Sequence, residues 1–190
     1  MSNAGATRSP IGELDQDGWL PGARTIVSPN CDERPAATPV ELIVIHAISL
    51  PPGHFGSDWI ERLFSNTLDP DAHPYFRKIE GLRVSAHFLV RRDARLVQFV
   101  SCAKRAWHAG VSCWRGRSRC NDFSIGIEVE GCDTLAFEPM QYEILYRLIG
   151  ALRARYAIRD IVGHADIAPG RKTDPGPHFD WNRLGQNPRP

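Results

Sequence analysis

His46 closes a short apolar, β-branched run, Glu41-Leu-Ile-Val-Ile-His46, and His164 directly follows a second, Asp160-Ile-Val-Gly163. Asp174 stands ten residues after His164, in Arg171-Lys-Thr-Asp-Pro-Gly176. Neighbouring strand ends bring such side chains to one sheet edge, where ligands collect. Two imidazoles and one carboxylate form a donor set for a catalytic zinc ion, with a fourth position open to water. Imidazole suits that ion, and the carboxylate neutralises part of its charge. The same residues admit a plainer reading. A histidine ending a strand can be a satisfied structural residue, and an Asp before Pro-Gly can simply start a turn. No compact element such as His-Glu-x-x-His ties the three together.

Phe123 to Glu130 alternates: Ile125, Ile127 and Val129 face one way, and Ser124, Gly126, Glu128 and Glu130 the other. Two carboxylates on one face of an apolar strand cost stability unless they are paired, ligate a metal or face a cleft. Beside a zinc-activated water, whose pKa falls to roughly 7, a carboxylate can act as general base. A solvated outer face is the alternative, and periodicity does not choose between the two glutamates. Lys172, between His164 and Asp174, is placed to stabilise a developing oxyanion, or else is a solvent-exposed lysine. Trp107 and His108 precede a glycine turn. An indole face suits a sugar ring or apolar ligand surface, and equally a core position. Arg83, Arg115, Arg117 and Arg119 can grip carboxylates in bidentate pairs, though singly each reads as a surface charge. His87, inside Val84 to Arg92, reads as a packed structural histidine.

These side chains need elements to position them. Pro39 before it and Pro51-Pro52 after it delimit residues 41–46 as a buried central strand ending in His46. Residues 57–65 predict a short helix with apolar Ile60, Leu63 and Phe64. Val84 to Arg92 and Leu96 to Val100 predict a hairpin turning at Arg92-Asp-Ala-Arg95. Residues 109–122 are rich in Gly, Ser, Arg and Trp, and predict a long functional loop. Pro139 to Tyr156 predicts the best helix, with Pro139 in its first turn and a stripe of Ile144, Leu145, Leu148, Ile149 and Leu152. Asp160 to Gly163 is a further strand, leading into a loop over residues 165–177. Strands interspersed with helices predict an α/β fold: a single domain with a central mixed β-sheet flanked by helices.

The 190 residues suit one such domain. Its 23 Lys and Arg against 22 Asp and Glu leave a net charge of +1, which argues against a nucleic-acid partner. The longest apolar run, Leu42 to Ile45, falls far short of the ~18 residues that signal a membrane span. Cys31, Cys102, Cys113, Cys120 and Cys132 are odd in number and hold no Cys-x-x-Cys pair, which favours free thiols and the cytoplasm. Residues 1–40 read as an irregular Pro- and Gly-rich arm. No basic segment followed by an apolar one marks an export signal within residues 1–17. Met1-Ser2-Asn3-Ala4 has the look of an expression tag. The expected organisation is a tag and irregular arm over residues 1–17 and a catalytic domain over 18–185.

Five segments together carry a resemblance. They are Val44-Ile-His-Ala-Ile-Ser-Leu-Pro-Pro-Gly53, Arg83-Val-Ser-Ala-His87, Lys104-Arg-Ala-Trp-His-Ala-Gly110, Cys120-Asn-Asp-Phe-Ser-Ile-Gly-Ile-Glu-Val-Glu-Gly131 and the run from Gly163 to Pro177. From about Gly18 to Trp181 the chain resembles the zinc-dependent N-acetylmuramoyl-L-alanine amidase family, in its cytosolic branch acting on 1,6-anhydro-N-acetylmuramyl-L-alanine compounds in cell-wall recycling. The resemblance implies the zinc amidase fold and Zn2+ held by His46, His164 and Asp174. It implies Glu128 rather than Glu130 as the catalytic glutamate, with Lys172 as its cationic partner. It places Arg83 and Arg119 on the substrate's peptide carboxylates, beside Trp107, whose indole face is read from its own aromatic character as a substrate-binding wall. The implied partners are anhydromuramyl peptides, with no nucleic acid, no membrane and a monomeric protein. One departure stands out: Ala47 occupies a position where the family usually carries Asn. A non-catalytic peptidoglycan-binding relative would lack a ligand, and all three ligand positions are filled here. An exported relative acting on intact wall is the other rival, and the thiols and absent signal weigh against it.

Overall fold

The two apolar runs that carry the histidines become neighbouring parallel strands. The computed structural model describes residues 11–185. Its main sheet is built from β1 (Arg24–Thr25), β2 (Leu42–Ile48), β3 (Phe88–Val90), β4 (Leu96–Gln98), β5 (Ser124–Glu130) and β6 (Asp160–Gly163), in the order β1-β4-β3-β5-β2-β6. The β3–β4 pair is antiparallel and the other pairs are parallel, so the sheet is mixed. The helices are α1 (Trp59–Phe64), α2 (Pro139–Arg155) and a single turn, α3 (His164–Ile167). This is the α/β architecture that the alternation of strands and helices predicts.

Alternation along the strands divides the core between two faces. Ile43, Ile45, Ile125, Ile127 and Val129 pack with Leu145, Leu148, Ile149 and Leu152 of α2. The stripe read from residues 139–156 is therefore the core-facing side of that helix. Gln141 pins its first turn. The Glu138 backbone N–H donates to the Gln141 side-chain oxygen, and the Gln141 amide donates to the carbonyls of Val90 and Glu130. On the opposite face, Ile60, Leu63, Phe64, Phe76, Leu89 and Phe99 form a second cluster around α1. That second face carries the polar strand residues.

Three local expectations are corrected and one alternative is ruled out. First, β2 does not end at His46 but continues to Ile48, because its parallel pairing with β5 runs through Ile48 and Glu130. Second, the arm before residue 40 is partly ordered as sheet. Residues 24–25 pair with β4, and Cys31–Asp32 pairs with Arg105–Ala106. These contacts are non-local, so no local periodicity announces them. Arg34 also docks the arm, donating to the carbonyls of Cys102, Asn121, Asp122 and Ser124. Third, residues 109–122 are not a featureless loop. Cys113–Trp114 pairs with Arg117–Ser118, and Trp114 donates to Asp160 over 3.0 Å. Fourth, β5 has no solvated face, since all seven of its residues are buried. The five cysteines are free thiols. Among the described residues no helix is long and apolar enough to cross a membrane. Residues 1–4, read as a tag, lie outside the described residues.

Candidate active site

Parallel register assembles the site. His46 of β2 lies opposite Glu128 of β5, and Gly163 of β6 lies opposite Ile45. His164 follows Gly163, so three adjacent strands deliver His164, His46 and Glu128 to one sheet edge. His46 and Glu128 share the face that also holds Val44 and Gly126, away from α2. The loop after α3 then folds back, and the Ala165 N–H donates to the Asp174 carbonyl over 2.9 Å. That bond returns Asp174 to the two histidines.

The three candidate ligands meet through single atoms. His46 Nδ1 lies 3.0 Å from His164 Nδ1 and 3.2 Å from Asp174 Oδ2, and His164 Nδ1 lies 3.1 Å from the same oxygen. Three donors at ~2.0–2.2 Å from a tetrahedral ion stand a little over ~3 Å apart, so this triangle fits zinc. Both histidines are buried and Asp174 is part-buried. Burial holds His46 down at about 4, against the pull of Asp174, so its imidazole is neutral and able to ligate. Burial alone would raise the Asp174 carboxyl. The neighbouring imidazoles of His164 and His46 outweigh it and hold the group well below the ordinary carboxylate range.

The two glutamates, equivalent by periodicity, part company in the structure. Glu130 is consumed by the fold. Its Oε1 accepts the Gly56 N–H over 2.7 Å, its Oε2 accepts the Arg92 N–H over 3.0 Å, and Arg91 Nε lies 3.4 Å from Oε2. Arg91 also binds Glu61 through 2.7 and 2.8 Å contacts. Glu128 is buried too, yet its Oε2 has no hydrogen-bond partner among the described residues. Burial pushes the Glu128 carboxyl well up, Asp174 adds to that, and Lys172 opposes it. Glu130→Ala should therefore destabilise the protein by about 3–5 kcal/mol, the usual cost of breaking a buried ion pair from one side. Urea unfolding checks it, and an unchanged midpoint would reject the structural role assigned to Glu130.

His46, His164, Asp174, Glu128, Lys172 and Trp107 all line one cavity of about 270 Å³, with Ala47 in its wall. A larger cavity of about 640 Å³ opens behind the 164–174 loop, but none of the three donors lines it. The smaller one, which the three donors line, is the candidate site. Tyr75, Ile79, Leu82 and Val84 complete its apolar side. Tyr75 carries no sequence signal of its own beyond its aromatic character. Arg83 and Arg119 do not line this cavity. Arg83 borders a neighbouring depression, and Arg119 pairs with Asp122 over 3.1 Å. Arg115 and Arg117 pair with Asp160 and Glu41. His87 is the packed histidine expected: its Nδ1 accepts the Gly126 N–H and its Nε2 meets the Lys104 carbonyl. His108, left without a role by its sequence setting, sits against His46. A glycine inside a strand marks close approach of another group, and Gly126 was the available signal.

The chain is similar to known proteins over most of its length. The family model for N-acetylmuramoyl-L-alanine amidase matches residues 36–177. The 1,6-anhydro-N-acetylmuramyl-L-alanine amidase AmpD of Citrobacter freundii is 57% identical over 173 residues, covering 90% of this chain and 92% of that protein. A crystal structure of a selenomethionine derivative of AmpD superposes with a TM-score of 0.87 at 58% identity, covering 90% of this chain and 97% of that one. The amidase AmiD of Escherichia coli, in complex with the substrate anhydro-N-acetylmuramic acid-L-Ala-D-γ-Glu-L-Lys, superposes with a TM-score of 0.57 at 32% identity, covering 90% of this chain and 64% of that one.

Proposed function

The chain belongs to the N-acetylmuramoyl-L-alanine amidase family, and from that membership we propose that it cleaves soluble anhydromuramyl peptides in a zinc-dependent reaction of cytosolic peptidoglycan recycling. The bond broken is the amide between the (1,6-anhydro-)N-acetylmuramyl lactyl group and L-alanine. One observation carries the reading. His46 Nδ1, His164 Nδ1 and Asp174 Oδ2 converge on one point in the cavity that Glu128 and Lys172 also line. We place the catalytic domain over residues 18–185.

Zinc held by His46, His164 and Asp174 supplies Lewis acidity and an acidified water. Glu128 takes the proton of the attacking water on its unpartnered oxygen and returns it to the amine of the leaving L-alanine. Burial raises the Glu128 carboxyl above its ordinary range, which makes its ionised form a stronger proton acceptor. Lys172 offers its ammonium to the oxygen that becomes negative as the amide carbonyl turns tetrahedral. Trp107 and Tyr75 give the muramyl ring apolar walls. Arg83 and Arg119, on the surface beyond the cavity, take the carboxylates of the peptide, and Arg119 exchanges Asp122 for substrate. Ala47 offers that substrate no amide. Local cations of this kind bind a small anionic ligand without a basic surface, as the net charge of +1 allows.

The test compares an anhydromuramyl tripeptide with intact sacculi, each with and without chelator. Rapid cleavage of the tripeptide, suppressed by chelator, with sacculi left nearly intact is the expected result. Equal rates on both substrates would refute a recycling role.

A further inference from the structure

Both histidine donors use Nδ1, which leaves each Nε2 pointing back into the protein. His46 Nε2 lies 2.9 Å from His108 Nδ1, with the two rings edge to face. His108 Nε2 lies 3.1 Å from the Ser124 hydroxyl. His164 Nε2 lies 3.3 Å from the carbonyl of Ala109, the next residue. Two consecutive residues therefore meet the far nitrogens of both ligands. That pair is itself held. The Asn121 side-chain oxygen accepts the N–H groups of His108 and Ala109 over 3.2 and 2.8 Å, and Arg171 donates to the Ala109 carbonyl over 3.1 Å. Gly126 makes room for the ring. A Cβ there would stand 2.4 Å from the His108 side chain.

We propose that His108 is a positioning residue: it accepts the Nε2–H of His46 and thereby presents His46 Nδ1 bare to the metal, while the Ala109 carbonyl does the same for His164. The His46–His108–Ser124 chain can in principle run in either direction, because a hydroxyl both donates and accepts. With the reverse polarity, a proton sits on His46 Nδ1, where it blocks ligation. The polarity compatible with a metal puts Nε2–H on both histidines and makes Ser124 the terminal acceptor. His164 has no such choice, since a carbonyl only accepts. Partners of this kind set the tautomer and orientation of an imidazole ligand.

The inference rests on the zinc reading above, so the test begins with wild-type protein. Chelator competition on the wild type should give one tightly bound zinc. In zinc-loaded protein with 15N-labelled histidine, His46 and His108 should both be protonated at Nε2, with a through-hydrogen-bond coupling between His46 Nε2 and His108 Nδ1. His108→Leu, which cannot accept, should lower zinc affinity about 10–100-fold. His108→Gln, whose side-chain oxygen accepts, should recover most of it. Gly126→Ala, which displaces the ring without removing it, should behave like His108→Leu. The cobalt-substituted forms should differ in visible spectrum in the same order. A proton on His108 Nδ1 in the loaded wild type would overturn the proposal, as would zinc binding by His108→Leu equal to the wild type. Either result leaves the metal site standing. A wild type that takes up no zinc overturns both. The spectra of the unmutated protein decide the question even where a variant fails to fold.

Discussion

Glu128→Gln is expected to lower kcat for muropeptide hydrolysis by about 10²–10⁴-fold, the usual worth of a positioned general base, while zinc content and KM stay near wild type. The amide keeps the volume of the carboxylate but cannot take a proton from water. Nothing in the fold depends on the charge. The Glu128 Oε2 accepts no hydrogen bond among the described residues, in contrast to Glu130, whose two oxygens hold backbone N–H groups. Burial also raises the Glu128 carboxyl, so replacing it by a neutral group should not destabilise the protein. Single-turnover kinetics with metal analysis on the same sample check this. Wild-type-like turnover by Glu128→Gln would remove Glu128 from the mechanism.

Asp174→Ala is expected to weaken zinc binding by roughly 10²–10³-fold. Apparent zinc affinities of ~10–16 kcal/mol spread over four ligands leave about 2.5–4 kcal/mol for each. Asp174 also carries the negative charge that two neutral imidazoles lack, and its Oδ2 lies within 3.2 Å of both donors. The variant should lose activity in proportion to metal content and regain part of it at high zinc. Titration of activity against free zinc, in a metal buffer, measures the shift. An unchanged zinc midpoint would contradict ligation by Asp174. Loss of activity without loss of metal would assign Asp174 to another step.

The sequence bore the site's chemistry more clearly than its geometry. The runs 42–45 and 160–163 announce buried strands because their β-branched residues suit little else. The helix after Pro139 is legible from its stripe. His46 and His164 are 118 residues apart. Only the β2–β6 register brings them together, and no local pattern encodes it. The choice between Glu128 and Glu130 needed three dimensions, because Arg91 and the Gly56 and Arg92 N–H groups come from other segments. Before that, family resemblance alone favoured Glu128. His108 stayed hidden for the same reason. Its partners are a ligand on one strand and a hydroxyl on another, and Gly126 was the one residue whose type hinted at the ring above it. The arm was misread as irregular because strands of two residues have no periodicity to detect.

If the His46, His164 and Asp174 cluster makes this chain a zinc-dependent amidase for anhydromuramyl peptides, its activity must follow its metal. The most direct measurement is mass-spectrometric product identification with anhydromuramyl tripeptide, using metal-stripped protein before and after one equivalent of zinc is restored. The stripped protein should show no cleavage. With zinc restored, the products should be free tripeptide and anhydro-N-acetylmuramic acid, from scission of the lactyl–L-alanine amide alone. Full activity without metal, or scission at any bond within the peptide, would contradict this assignment.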